Sequence, residues 1–192
     1  MIVVTGGAGF IGSALIHGLN IKGVKKIWVV DQVDHPEKQK NLDPLVFDKL
    51  VDKDVFLNDV LERKLPKCDA IFHMGACSST TETNESFLNE NNYEYTRHLA
   101  SFCLEKGVRF IYASSAATYG AGENGYYDNE SKLKLLQPLN LYGCSKQKFD
   151  LWAKEQGALK KIVGLKYFNV YGPNEYHKQE MQSMVRKGFL QV

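Results

Sequence analysis

The chain has 192 residues, enough for one good-sized domain or for a domain and the start of another. Its 44% hydrophobic content supports a real core. Its net charge of +2, spread over scattered Lys and Arg, argues against nucleic-acid or membrane attraction as the basis of function. No apolar run approaches the ~20 residues that span a bilayer. The start carries no basic leader and runs straight into a glycine turn, so no secretory signal is expected. Cys68, Cys77, Cys103 and Cys144 lie far apart and form no metal-ligand spacing. They read as reduced, mostly buried thiols of a cytosolic protein, with no metal site.

In chain order, residues 2–5 form a short apolar strand that enters Thr5-Gly6-Gly7-Ala8-Gly9-Phe10-Ile11-Gly12. A helix-periodic stretch follows over 11–21, then a second apolar run over 26–31 that ends in Asp31. Strand, glycine turn, helix, strand and acid make a dinucleotide-binding unit. Gly6 makes the tight turn, Gly9 admits a pyrophosphate to the backbone, and Gly12 lets the helix pack closely. The helix start offers free N–H groups and positive dipole to the phosphates. Asp31 is placed to meet the adenosine ribose. Taken alone it favours NAD, because a carboxylate repels the 2′-phosphate of NADP. Lys38, farther along the same loop, and Lys53 are the cations that would neutralise that phosphate.

Further strands are expected over 69–74, 109–114 and 162–168, with a weak one near 45–47. Helices are expected over 51–61, 85–106 and 142–156, and a long surface loop over 121–138. Apolar strands alternating with helices predict a doubly wound α/β fold, a parallel sheet covered on both faces. Small residues at Gly75 and Ala76, after the strand over 69–74, would let a cofactor lie across its end. Asn91 and Asn92 begin the next helix, and one of them is expected to brace the sheet backbone.

The chemistry is expected where Tyr112-Ala113-Ser114-Ser115 ends one strand and Tyr142-Gly143-Cys144-Ser145-Lys146 opens the following helix. Tyr142 and Lys146, four apart, share a helix face. The ammonium of Lys146 is expected to lower the Tyr142 pKa, so that the phenol moves a proton while a nicotinamide moves a hydride. Ser115 would hydrogen-bond the same substrate oxygen. Asn169 and Lys178, in Tyr167–Met181, are expected at the same sheet edge. A second ionisable group there matters if hydride returns to the opposite face.

Thr5–Ser13, HMGACSSTTE from His73, YASSAATYG from Tyr112, Tyr142–Lys146 and YFNVYGPNEYHKQEM from Tyr167 together resemble the extended short-chain dehydrogenase/reductase family. Within it they are similar to the branch that inverts C6 of an ADP-heptose for lipopolysaccharide core synthesis. The resemblance implies a Rossmann domain over 1–172 and the beginning of a substrate-binding lobe over 173–192. It also implies a chain shorter than its relatives, a cytoplasmic homo-oligomer, and tightly held NADP, with NAD possible. Transferred residue by residue, Tyr142 and Lys178 are the two acid/base groups, Ser115 assists, and Lys146 holds both Tyr142 and the nicotinamide ribose. Asn169 contacts the sugar. Phe10, Ile11, Asp31, Gln32, Lys38, Lys53, Met74, Gly75, Ala76, Cys77, Ser78, Asn91, Val170 and Lys178 line the cofactor. Met74 departs from relatives that carry an acid there. Two alternatives stay open: another sugar-nucleotide enzyme, such as a UDP-sugar 4-epimerase, and a non-catalytic NAD(P)-binding module. A dehydratase is disfavoured, because Ala116-Ala117 stand where those enzymes carry an Asp-Glu pair.

Overall fold

The computed structural model describes residues 1–191. Val192, the last residue of the expected lobe, lies outside them. In chain order the elements are β1 (Ile2–Thr5), α1 (Phe10–Ile21), β2 (Ile27–Val30), α2 (Pro36–Leu42), β3 (Lys49–Val51), α3 (Lys53–Leu61) and β4 (Ala70–His73). There follow α4 (Glu85–Leu88), a π-helical turn (Asn89–Glu94), α5 (Tyr95–Lys106), β5 (Arg109–Ser115), α6 (Leu141–Glu155), β6 (Ile162–Tyr167) and α7 (Met184–Phe189). The chain divides into two compact units, one of Met1–Gly75 with Asn169–Val192, the other of Ala76–Phe168.

In the first unit four parallel strands stand in the order β3-β2-β1-β4. Val3, Val4, Ile27 and Val29 are fully buried, the near-continuous apolar reading of strands covered on both faces. Ile16 of α1 packs into this core with Leu42 and Leu45. The apolar run 45–47 is not a strand. Leu45 fills the core and Val46 is held by Asn20, so β3 forms four residues later, with Lys49 opposite Trp28. The polar stretch after β2, read as loop, contains α2. His35 caps it by accepting the Glu37 N–H at 3.1 Å, and Pro36 takes the first turn, where its missing N–H costs nothing.

In the second unit β5 and β6 pair in parallel. The single helix expected over 85–106 is interrupted by the π turn, a feature that concentrates at functional positions. The expected loop 121–138 contains a 3₁₀ helix, Glu130–Leu135, and is pinned rather than free. Leu133 and Leu136 are buried, and Gln147 of α6 donates to both of their carbonyls at 3.1 and 2.7 Å. Asp150, also buried, accepts from Tyr112 and Ser114 at 2.8 Å each and from Lys166 at 2.6 Å. Asp150→Ala leaves two hydroxyls without their acceptor and the Lys166 ammonium, which also donates to Thr118 Oγ1 at 2.7 Å, without its counter-charge. It should cost about 3–5 kcal/mol in denaturant unfolding, the price of half a buried ion pair; a loss below ~1 kcal/mol would show that water replaces the carboxylate.

Of the four free cysteines, Cys68 and Cys103 are buried. Cys77 is half-buried and Cys144 exposed, so the expectation of mostly buried thiols holds for two of them. Cys144 faces out because Gly143 and Ser145, its neighbours on α6, turn inward. Among the described residues no helix is long and apolar enough to cross a membrane.

Candidate active site

In the first unit the glycine turn has the shape its spacing predicts. Gly6 takes φ +66°, and a Cβ there would lie 2.5 Å from the backbone nitrogen of Gly75. This is the left-handed region in close approach to another backbone, which only glycine accepts. Gly75 therefore serves the turn itself: its N–H reaches Thr5 Oγ1 at 3.3 Å, and Thr5 Oγ1 meets His73 Nδ1 at 2.6 Å. Gly12 packs against the turn rather than the sheet, with Gly6 C 2.7 Å and Gly7 Cα 2.8 Å from where its Cβ would be. Gly9 begins α1 in extended conformation with no side chain over the free N–H groups of the first turn.

Asp31, just beyond β2, is fixed by three donors. Its Oδ2 accepts the Ala8 N–H at 2.9 Å; its Oδ1 accepts from Gln32 N–H at 2.8 Å and Lys38 Nζ at 3.4 Å. Lys38 also reaches the Gln32 carbonyl at 2.9 Å and Asp34 at 3.0 Å, and holds the Asp34 carboxyl below its usual range. The cation predicted from the loop thus stands on Asp31. Lys53 lies at the start of α3, with Asp54 at 2.8 Å. Phe10 is buried and Ile11 half-buried at the start of α1. In the last segment Lys178 Nζ lies 5.4 Å from the Phe10 ring centre, and burial lowers its pKa against the opposing pull of Glu175. Asn169 and Val170 are exposed.

A bound dinucleotide suits these residues. The turn has no room for side chains, α1 opens with uncapped N–H groups, and an acid with an adjoining cation closes β2.

In the second unit Asn140 caps α6 by accepting the Gly143 N–H at 2.7 Å, which starts the helix one residue before Tyr142. Lys146, one turn on, is buried and donates to the Ala113 carbonyl of β5 at 2.9 Å. Burial brings its pKa down to about 8, while Asp150 pulls it upward. The hydroxyl of Ser115 accepts the Ala117 N–H at 3.1 Å and is near enough to the Tyr142 phenol to draw its pKa down. The expected lowering of Tyr142 by Lys146 is not found. Burial pushes the phenol up, Ser115 alone draws it down, and the ammonium is spent on a carbonyl.

The asparagine that braces the backbone is Asn92, not Asn91. Asn92 accepts the Cys77 N–H at 2.9 Å and donates to the Cys77 carbonyl and Ser145 Oγ, each at 3.0 Å. Asn91 instead donates back along its own helix to the Phe87 carbonyl at 3.2 Å. The π turn turns Asn92 inward. Met74 is half-buried at the end of β4, and Ala76 and Ser78, either side of Cys77, are exposed. Sequence reading missed Asn41, Asn92's full role, Asp150 and Glu175. Each is a polar residue buried by tertiary contacts, with no local signature.

The sequence model of the NAD dependent epimerase/dehydratase family matches residues 2–191. The chain belongs to that family. It is 52% identical, over all of its length and 60% of the relative's, to ADP-L-glycero-D-manno-heptose-6-epimerase of Nitratidesulfovibrio vulgaris. The crystal structure of the Helicobacter pylori enzyme of that name aligns with 97% of this chain and 60% of its own, at TM-score 0.84 and 33% identity. UDP-glucuronic acid 4-epimerase from Bacillus cereus, solved with NAD, aligns with 90% of this chain and 58% of its own, at TM-score 0.70 and 26% identity. The α/β fold expected from the strand pattern is the fold of these enzymes. The chain spans about 60% of the length of the relatives it matches.

Proposed function

We propose that the protein to which this chain belongs epimerises ADP-D-glycero-D-manno-heptose at C6 to the L-glycero form, through a 6-keto sugar, in the cytoplasm and as a homo-oligomer. The observation that carries the reading is a buried Lys146, one helical turn after Tyr142, that donates to the Ala113 carbonyl at the end of β5 beside Ser115. The similarity to the named heptose epimerases selects the sugar. Residues 173–192 begin the substrate-binding part in this reading.

The residues named for the cofactor are the glycine turn with Phe10 and Ile11, the Asp31–Gln32–Lys38 group, Lys53, residues 74–78, Asn91, Lys146, Val170 and Lys178. When bound, NADP supplies the reversible hydride transfer at C6. Tyr142 and Lys178 move the hydroxyl proton. Burial raises the Tyr142 phenol and lowers the Lys178 ammonium, so one group keeps its proton while the other yields it more readily. Separating two pKa values in this way supports reading one group as the acid and the other as the base. Ser115 orients the oxygen and Asn169 contacts the sugar.

The test supplies full-length protein with ADP-D-glycero-D-manno-heptose and follows the C6 epimer ratio by NMR. Drift towards the L-glycero form is expected. A fixed ratio overturns the reading, and turnover of a UDP-hexose at C4 instead would replace it. Lys38 gives a separate prediction. Nucleotide released on denaturation should be NADP, and Lys38→Met should shift retention towards NAD by about 10- to 100-fold, the worth of a charge-assisted hydrogen bond to phosphate. Release of NAD alone from the unaltered protein would contradict the role given to Lys38.

A further inference from the structure

Asn41 is 2% exposed, and beside Leu42 it is the buried end of a helix whose residues from Glu37 to Lys40 are polar. Its amide nitrogen donates to the Ala8 carbonyl of the glycine turn at 3.0 Å and to the Asn174 carbonyl at 3.2 Å, with His177 Nδ1 at 3.4 Å. One buried side chain therefore joins three pieces of backbone that are remote in sequence. The link is doubled from the other side. Asn174, a non-glycine residue at φ +74°, donates its own side-chain amide to Ser13 Oγ at 3.1 Å, and Ser13 Oγ donates to the Phe10 carbonyl at 3.1 Å. The turn so held runs directly into Lys178. The Lys178 N–H donates to the Glu175 carbonyl at 3.1 Å, and the buried Glu175 carboxylate accepts from Ser183 N–H at 2.6 Å and Ser183 Oγ at 2.8 Å. The whole path, from Ala8 to Lys178, lies within the first unit.

We propose that Asn41 is a positioning residue for Lys178: by tying the glycine turn to the 174–177 turn it sets the Lys178 amine over Phe10. The inference rests on the reading of Lys178 as an acid/base group. A small rotation of the 174–177 turn would carry a long, flexible lysine away from the reacting carbon, and a misplacement of ~1 Å can cost about 10²-fold in rate. The charged groups around this turn are Glu175, which faces Lys178, and Lys38, Asp31, His35 and Lys178, which face His177.

The test compares Asn41→Ala, Lys178→Met and unaltered full-length protein for thermal melting, retained nucleotide, kcat, KM and the pH dependence of kcat. Asn41→Ala is expected to stay folded and to retain nucleotide. Its kcat should fall about 10- to 100-fold with KM changed less than threefold. Its pH profile should differ from that of the unaltered protein. Burial holds the Lys178 pKa down, so a turn loosened into water lets it rise, and the limb belonging to Lys178 moves to higher pH. Loss of kcat only in proportion to unfolded protein, with that limb unmoved, means a structural role and overturns the proposal. Full turnover in Asn41→Ala beside an inactive Lys178→Met overturns the proposal and leaves the reading of Lys178 intact. Full turnover in Lys178→Met removes that reading and the proposal with it.

Discussion

Tyr142→Phe in the full-length protein should lower heptose epimerisation by about 10²–10⁴-fold, the usual contribution of a positioned proton donor. The substitution keeps the ring at the first turn of α6 and deletes only the phenolic oxygen. Retained nucleotide and melting temperature should change little, because Lys146 bonds to the Ala113 carbonyl and not to the phenol. NMR of the C6 epimers measures the rate, and nucleotide released on denaturation measures the rest. A variant with more than a tenth of the original turnover would remove Tyr142 from the proton chemistry. Burial raises the phenol above the ordinary tyrosine range, so it is protonated throughout neutral pH.

A large effect on stability is expected at Gly12. The place of its missing Cβ is taken by the Gly6–Gly7 peptide, Gly6 C at 2.7 Å and Gly7 Cα at 2.8 Å, which cannot swing aside as a side chain would. Gly12→Ala should therefore cost about 3 kcal/mol or more, at the upper end of overpacking losses, and deform the turn. Gly18, in the same helix, has nothing within 4 Å of its Cβ position. Gly18→Ala should stabilise by roughly 0.5–1 kcal/mol, the helix-propensity difference alone. Denaturant unfolding of the two variants side by side checks both signs. Equal effects would mean that α1 does not depend on its approach to the turn.

What could be read beforehand was what is written locally. Gly6, Gly9, Gly12 and Asp31 follow from spacing, and Tyr142 and Lys146 from four-residue periodicity. Strand β1 lies where its apolar run placed it. The misplaced elements are those whose signals compete. Leu45 and Phe47 look like a strand but are spent on the core beneath α1, while β3 uses Lys49 and a solvent-facing Leu50. Helix α2 has no apolar stripe, so only His35 and Pro36 announce it. The choice between Asn91 and Asn92 depends on a π turn, which shifts the helical phase and leaves no mark in composition. The direction of the Tyr142 shift depends on where the Lys146 ammonium finds an oxygen, and that oxygen belongs to a strand thirty-three residues away.

The first unit is built from two separated stretches of chain, and this bears on how it is made. Its strands and glycine turn leave the ribosome first, yet the carbonyl of Asn174 that receives the Asn41 amide comes about a hundred residues later. At roughly 5–20 residues per second the interval is on the order of 5–20 s. During that time Asn41 has no Asn174 to bond and Ser13 no Asn174 amide. The nucleotide turn is thus synthesised early and closed late. A nascent chain arrested before residue 174 would carry Gly6, Gly9 and Gly12 without the segment that brings Lys178 to them.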